Sequence, residues 1–123
     1  MTVPVKRELH FREKMANRKK NALRIASELH QYLTHVYGAR LKGVYLYGSY
    51  ARDEATDDSD MDVAVILSGS LNRADEARRV SGLLSEICLR ENALISALFI
   101  SEEEWTKRPL AIHRSVSRDG IAA

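Results

Sequence analysis

Two aspartates, Asp60 and Asp62, stand two residues apart at the mouth of the apolar run Met61–Leu67. A Gly-Ser pair, Gly48-Ser49, closes an earlier apolar run, Val44-Tyr45-Leu46-Tyr47. Residues two apart on a β-strand share a face, so the spacing predicts two carboxylates side by side. Like charges that close destabilise each other unless a cation lies between them. A hard divalent ion with oxygen ligands, Mg²⁺ or Mn²⁺, suits such a pair. Gly48 lets backbone approach an anion closely, and Ser49 adds a hydroxyl and an N–H where a helix could begin. A phosphate cradle beside a carboxylate-held metal is chemistry suited to nucleoside triphosphates. Arg52 is placed to touch phosphate or to pair with Asp57 or Asp58, and Ser59 to shape the turn before Asp60.

The elements that must position these groups follow from periodicity. From about Val5 to Tyr37 the chain reads helical: Ala22, Ile25, Ala26, Leu29, Leu33 and Val36 recur at three- and four-residue steps, and Gly38 is a stop. Residues before about Ala16 are less periodic and read as a separate turn or arm. Strands are expected over 44–47, 61–67 and 93–100, with Ser68-Gly69-Ser70 ending the second. A helix is expected over 73–90, with Ala77, Val80, Leu83, Leu84 and Ile87 on its apolar side. Ser101 and Glu104 form a capping box for a last helix, which Pro109 kinks or divides. The resulting order, α-β-α-β-α-β-α, predicts an α/β (α+β) fold: a small mixed sheet with helices packed on one face.

Gly48-Ser49, ten intervening residues and Asp60-Met61-Asp62 resemble the signature of the polymerase-β-type nucleotidyltransferases. The local form Gly48-Ser49-Tyr50-Ala51-Arg52 … Ser59-Asp60-Met61-Asp62 is closest to the minimal nucleotidyltransferases, short proteins often encoded beside a small all-helical partner. The resemblance implies Asp60 and Asp62 as catalytic metal ligands, with Gly48 and Ser49 on the β/γ phosphates. It implies transfer of AMP from ATP to a hydroxyl acceptor, with a helical partner protein as the expected source of that hydroxyl, in an antitoxin-like role. The family also carries a third carboxylate on a later strand. Counted back from the Ser101 cap, that position holds Ser96, within Leu94-Ile95-Ser96-Ala97-Leu98. A neutral hydroxyl is a poor ligand for a hard cation and a poor base, leaving Glu91 and Glu102 at the strand's ends as substitutes. Ser96 therefore favours an alternative: a weak or inactive module that binds nucleotide or covers a partner's active site.

Composition narrows the rest. A chain of 123 residues, 45% hydrophobic and 29% charged, suits a single soluble domain, 1–123. No apolar run approaches the roughly 18 residues of a membrane span, and the charged N-terminus is unlike a signal peptide. The single cysteine, Cys88, cannot form an internal disulfide and reads as a buried small hydrophobe, which fits the cytoplasm. His10, His30, His35 and His113 lack metal-ligand spacing, so surface or helix-face roles are expected. Net charge is only +2, but Lys6, Arg7, Arg12, Lys14, Arg18, Lys19 and Lys20 crowd residues 1–20. That basic arm suits a solvated helix face better than a nucleic-acid footprint, because no aromatic ladder accompanies it.

Overall fold

The apolar stripe of the first long segment makes one continuous helix, α1 (Lys6–Tyr37), ended by Gly38 at φ +56° and a short 3-10 turn, Gly38–Arg40. The computed structural model describes residues 6–123, and side chains from Arg12 onward except that of Met15. The beginning of the basic arm lies outside the described residues; the rest of it is the first half of α1, not a separate element. Ala22, Ile25, Ala26, Leu29 and Leu33 are buried as expected. Val36 is 44% exposed, and Tyr37, a full turn beyond Leu33, is buried in its place.

Four strands follow: β1 (Leu41–Tyr47), β2 (Met61–Leu67), β3 (Ile95–Ser101) and β4 (Ile121–Ala122). Their order in the sheet is β3-β2-β1-β4. β2 runs antiparallel to β1 and parallel to β3, while β4 pairs antiparallel with β1, so the sheet is mixed. No helix intervenes between β1 and β2, contrary to the expected element order; residues 48–60 form a loop. β2 is central, which is why it reads as an unbroken apolar run with six of seven residues buried.

Alternation sorts the side chains onto two faces. Val44 and Leu46, Met61, Val63, Val65 and Leu67, and Phe99 pack with α1 and with α2 (Arg73–Glu91) in the larger core. On the opposite face Ala64, Ile66 and Ile100 meet Val116, with Tyr45, Tyr47, Leu98 and Trp105 around them. The two long helices thus share one face, as expected. Two short helices, α3 (Glu102–Lys107) and α4 (Ala111–Asp119), add a partial lid on the other. Ser101 and Glu104 form the predicted capping box of α3, and Pro109 falls between the two helices, dividing them. His113 departs from expectation. It is 1% exposed under this lid, its Nε2 3.4 Å from Glu104 Oε2, because α4 turns this residue inward beside Val116.

Candidate nucleotide site

The lid leaves the N-terminal end of β2 bare, and there the motif residues meet. Gly48 ends β1 at φ +74°, in the left-handed region. A Cβ added to it would lie 2.3 Å from Asp62 Oδ2. The positive φ favours glycine, and an added Cβ would also push the Asp62 carboxylate aside. Asp62 opposes Tyr47 across β1–β2 and Ser96 across β2–β3. Burial, then the neighbouring Asp60, push the Asp62 carboxyl above its ordinary value, and Arg52 offsets part of this. Burial, then Asp62, likewise raise Tyr47. Asp60 is exposed just ahead of the strand.

The loop that joins the two strands is tied down at many points. Arg52 N–H donates to the Gly48 carbonyl at 3.2 Å and Glu54 N–H to that of Ser49 at 2.9 Å, with Asp53 at φ +59°. Ser49 thus begins a single turn rather than a helix. Ser59 Oγ accepts from Thr56 N–H at 2.8 Å, which is the turn-shaping role expected of it. From α1, Arg18 donates to the Ala55 carbonyl at 3.2 Å and to Asp57 Oδ1 at 2.5 Å. Lys19 reaches Asp53 at 3.3 Å and Lys14 reaches Asp57 at 3.7 Å. Part of the basic arm therefore serves as an anchor for this loop, a role that the sequence reading missed. The signal was available in the matching acidic run Asp53 to Asp58.

Arg52 does not pair with Asp57 or Asp58, as one reading had it. Its guanidinium binds Glu54 at 3.0 Å and Asp119 at 3.4 Å, because Asp57 is taken by Arg18 and Lys14. Tyr45 packs on Trp105, ring centroids 5.2 Å apart, and is a core residue.

Ser96 shares the face of Asp62, directly opposite it in the ladder, and is exposed. Neither proposed substitute for a third carboxylate is free to act there. Glu91 is held by Arg24 at 2.8 Å and by Arg90 at 3.5 Å, and Arg24 and then Arg90 keep its carboxyl below the ordinary range. Glu102 lies six positions beyond Ser96, roughly 20 Å along the strand. Among the described residues no cluster of three His, Cys, Asp or Glu is placed to hold a metal. The donor set is two carboxylates and a hydroxyl. Two repelling carboxylates fit one hard divalent cation completed by water and phosphate oxygens.

The family model described as Polymerase beta, Nucleotidyltransferase matches residues 28–108. The chain belongs to the polymerase-β-type nucleotidyltransferase family. It is 31% identical over 85 residues to the Methanocaldococcus jannaschii protein named "Putative protein adenylyltransferase MJ0604", covering 68% of this chain and 79% of that one. In fold it is similar to the crystal structure of a "putative nucleotidyltransferase" from Sulfolobus solfataricus, with a TM-score of 0.64 and 21% identity over 88% of this chain and 84% of that one. A toxin-antitoxin crystal structure with AMP-PNP also shares the fold, with a TM-score of 0.51 and 18% identity, covering 74% of this chain and 66% of that one. The mixed sheet with its long helices on one face is therefore a nucleotidyltransferase fold. Among the described residues no helix is long and apolar enough to cross a membrane.

Proposed function

We propose that this protein transfers AMP from ATP to a hydroxyl acceptor, using Asp60 and Asp62 to hold Mg²⁺ or Mn²⁺. The fit of Gly48 against the Asp62 carboxylate carries the reading, because it brings a phosphate-accessible turn and a metal-competent carboxylate to one point. The adenylyltransferase relative and the AMP-PNP-bound structural neighbour support adenylate as the group moved. The acceptor oxygen attacks the α-phosphorus, the bond from that phosphorus to the bridging oxygen breaks, pyrophosphate leaves, and the acceptor's proton passes to solvent. The turn at Gly48 and Ser49 binds the β/γ phosphates through N–H groups and the Ser49 hydroxyl. Arg52 reaches the same phosphates by exchanging Asp119 for them. A bound divalent ion supplies charge neutralisation and a lowered acceptor pKa.

The acceptor in this reading is a side-chain hydroxyl on a partner protein, a small helical one as in toxin-antitoxin pairs, and the compartment is the cytoplasm. A second reading rests on Ser96. With a neutral, exposed hydroxyl where Asp62 faces β3, Glu91 held by Arg24 and Arg90, and Glu102 far along the strand, the protein binds metal-nucleotide but transfers slowly, and acts by covering its partner.

Incubating the protein with α-labelled ATP and Mg²⁺, alone and with a candidate partner, tests both. Label on the partner supports transfer. A nucleotide-dependent rise in melting temperature without label supports the second reading, and the absence of both removes the site from this account.

A further inference from the structure

The outer edge of the sheet beside this site is open over a short stretch. Among the described residues β3 is an edge strand, paired with β2 alone. The Leu94 carbonyl accepts from Met61 N–H at 2.8 Å. In a parallel ladder this directs the backbone of Leu94, Ser96, Leu98 and Ile100 toward β2, and that of Ile95, Ala97 and Phe99 outward. Arg73 closes the far end: its Nε donates to the Phe99 carbonyl at 3.1 Å, and its Nη2 is held by both Glu104 oxygens at 2.7 Å. Among the described residues nothing comparable covers Ile95 or Ala97. An edge strand is normally protected along its length; here the protection stops at the half that adjoins Asp62.

Under that open half, a groove of about 410 Å³ runs between α2 and β3, with Leu84, Cys88, Leu94, Ala97 and Phe99 in its walls and no charged residue among them. Cys88 is therefore half-buried as a groove wall rather than fully buried in the core. Cys88 and Leu94 also wall a second cavity of about 460 Å³, which holds Asp57, Asp58 and Asp60. The two cavities thus adjoin across Cys88 and Leu94, the groove apolar and the second cavity acidic where the candidate site begins. Leu89 and Leu94 stand at the rim of that second cavity, 84% and 68% exposed.

We propose that this edge receives an extended, apolar segment of the acceptor protein as a fifth strand, with a basic residue next to the acceptor hydroxyl. The open backbone groups of Ile95 and Ala97 select a strand, and the uncharged groove selects apolar side chains at alternate positions. The exposed Asp58 carboxylate, left over when Asp60 holds the metal and Asp57 is paired with Arg18 and Lys14, selects the basic residue and brings the hydroxyl to the nucleotide. The inference rests on the AMP-transfer reading for the delivery of the hydroxyl.

The test uses the whole protein and two fluorescent peptides of alternating valine and threonine. Lysine and tyrosine are placed at the amino end of one and at the carboxyl end of the other, so that both strand directions are sampled. One peptide is expected to bind by anisotropy. Leu94→Lys, at a solvent-facing position, and Ala97→Pro, which removes an outward N–H, should each weaken binding by about tenfold or more. Ala97→Pro, which lies outside the acidic cavity, should keep the full Mg²⁺-ATP melting shift. Failure of both peptides to bind, or binding that neither variant weakens, overturns the docking inference. So does a dimer in solution that Leu94→Lys dissociates, since a second copy would then be the occupant. Loss of the Mg²⁺-ATP shift in the unaltered protein instead defeats the AMP-transfer reading and leaves the peptide result to judge the edge by itself.

Discussion

The two ends of β3 are built in opposite ways. At the C-terminal end Phe99 and Ile100 are buried, the Phe99 carbonyl is taken by Arg73, and Ser101 caps α3. At the N-terminal end Ile95 and Ala97 are half-buried, Ser96 is exposed, and the outer edge is bare. Seven residues of similar composition thus carry structure at one end and access at the other. On the face of Ser96, Leu98 and Ile100 the lid formed by α3 and α4 makes the difference: where Trp105 and Val116 cover the sheet that face is core, and where they stop the candidate site begins. Apolar sequence fixes which face is buried only where something arrives to bury it.

The largest expected effect comes from completing the open end. Ser96→Asp would place a third carboxylate in register with Asp62, at an exposed position where a charge meets little desolvation cost. The leucine neighbours on that face are no obstacle, since Leu94 is itself 68% exposed. General-base assistance is worth about 10²–10⁴ in rate, and pyrophosphate release with Mg²⁺-ATP and a tyrosine-bearing acceptor should rise by a factor in that range. Rapid transfer by the unaltered protein that falls in the variant would show that another group serves as base.

Removing the pair that already exists comes next. Ligand linkage gives about 2.7 kcal/mol of stabilisation at a hundredfold excess over the dissociation constant. Asn at both Asp60 and Asp62 should abolish the Mg²⁺-ATP melting shift while the unliganded protein stays folded. A double variant with the full shift would detach metal binding from these residues.

These two tests also mark what the sequence made legible. β2 was readable residue for residue, because a central strand is apolar on both faces and the Gly-Ser spacing fixes where it begins. The alternation that puts Ser96 on one face of β3 was readable too. Its position opposite Asp62 was not, since register between strands distant in sequence is set by tertiary packing. The start of β1 was hidden by Lys42 and Gly43 and by an irregular register between Leu41 and Gly43. β4 carries no local signal: two residues pair with Tyr45 and Leu46 only because α4 delivers them to that edge. Glu91 looked available as a base because Arg24, its closest partner, is brought to it from α1.

A smaller effect separates two glycines by sign. Gly48→Ala should destabilise by about 1–3 kcal/mol, the cost of a side chain in the left-handed region, and should displace Asp62 and weaken nucleotide binding. Gly82→Ala, inside α2 with nothing within 4 Å of the added Cβ, should stabilise by roughly 0.5–1 kcal/mol. Urea denaturation of the two variants measures both. Equal effects would mean that the Gly48 turn relaxes without disturbing the carboxylate.

The smallest effect belongs to the closed end of β3, and its pH dependence identifies it. Glu104 accepts from Arg73 and Ser101 and faces His113. Burial acts to raise its carboxyl, but hydrogen bonds from Arg73 and Ser101 outweigh it and hold the group below its ordinary value. A carboxyl depressed in the folded state contributes stability above its unfolded value, lost as pH falls through the folded one. Glu104→Gln should therefore cost roughly 1 kcal/mol or less at pH 7, and the difference from the unaltered protein should vanish in strong acid, where both side chains are neutral. Because the same network keeps Arg73 on the Phe99 carbonyl, its loss should also loosen the protected end of the edge. Amide exchange at Phe99 and Ile100 should quicken at pH 7 in the variant, while Ile95 and Ala97, open already, should change little. Equal quickening at both ends would mean that the two halves of β3 open together and that the contrast between them is one of coverage alone.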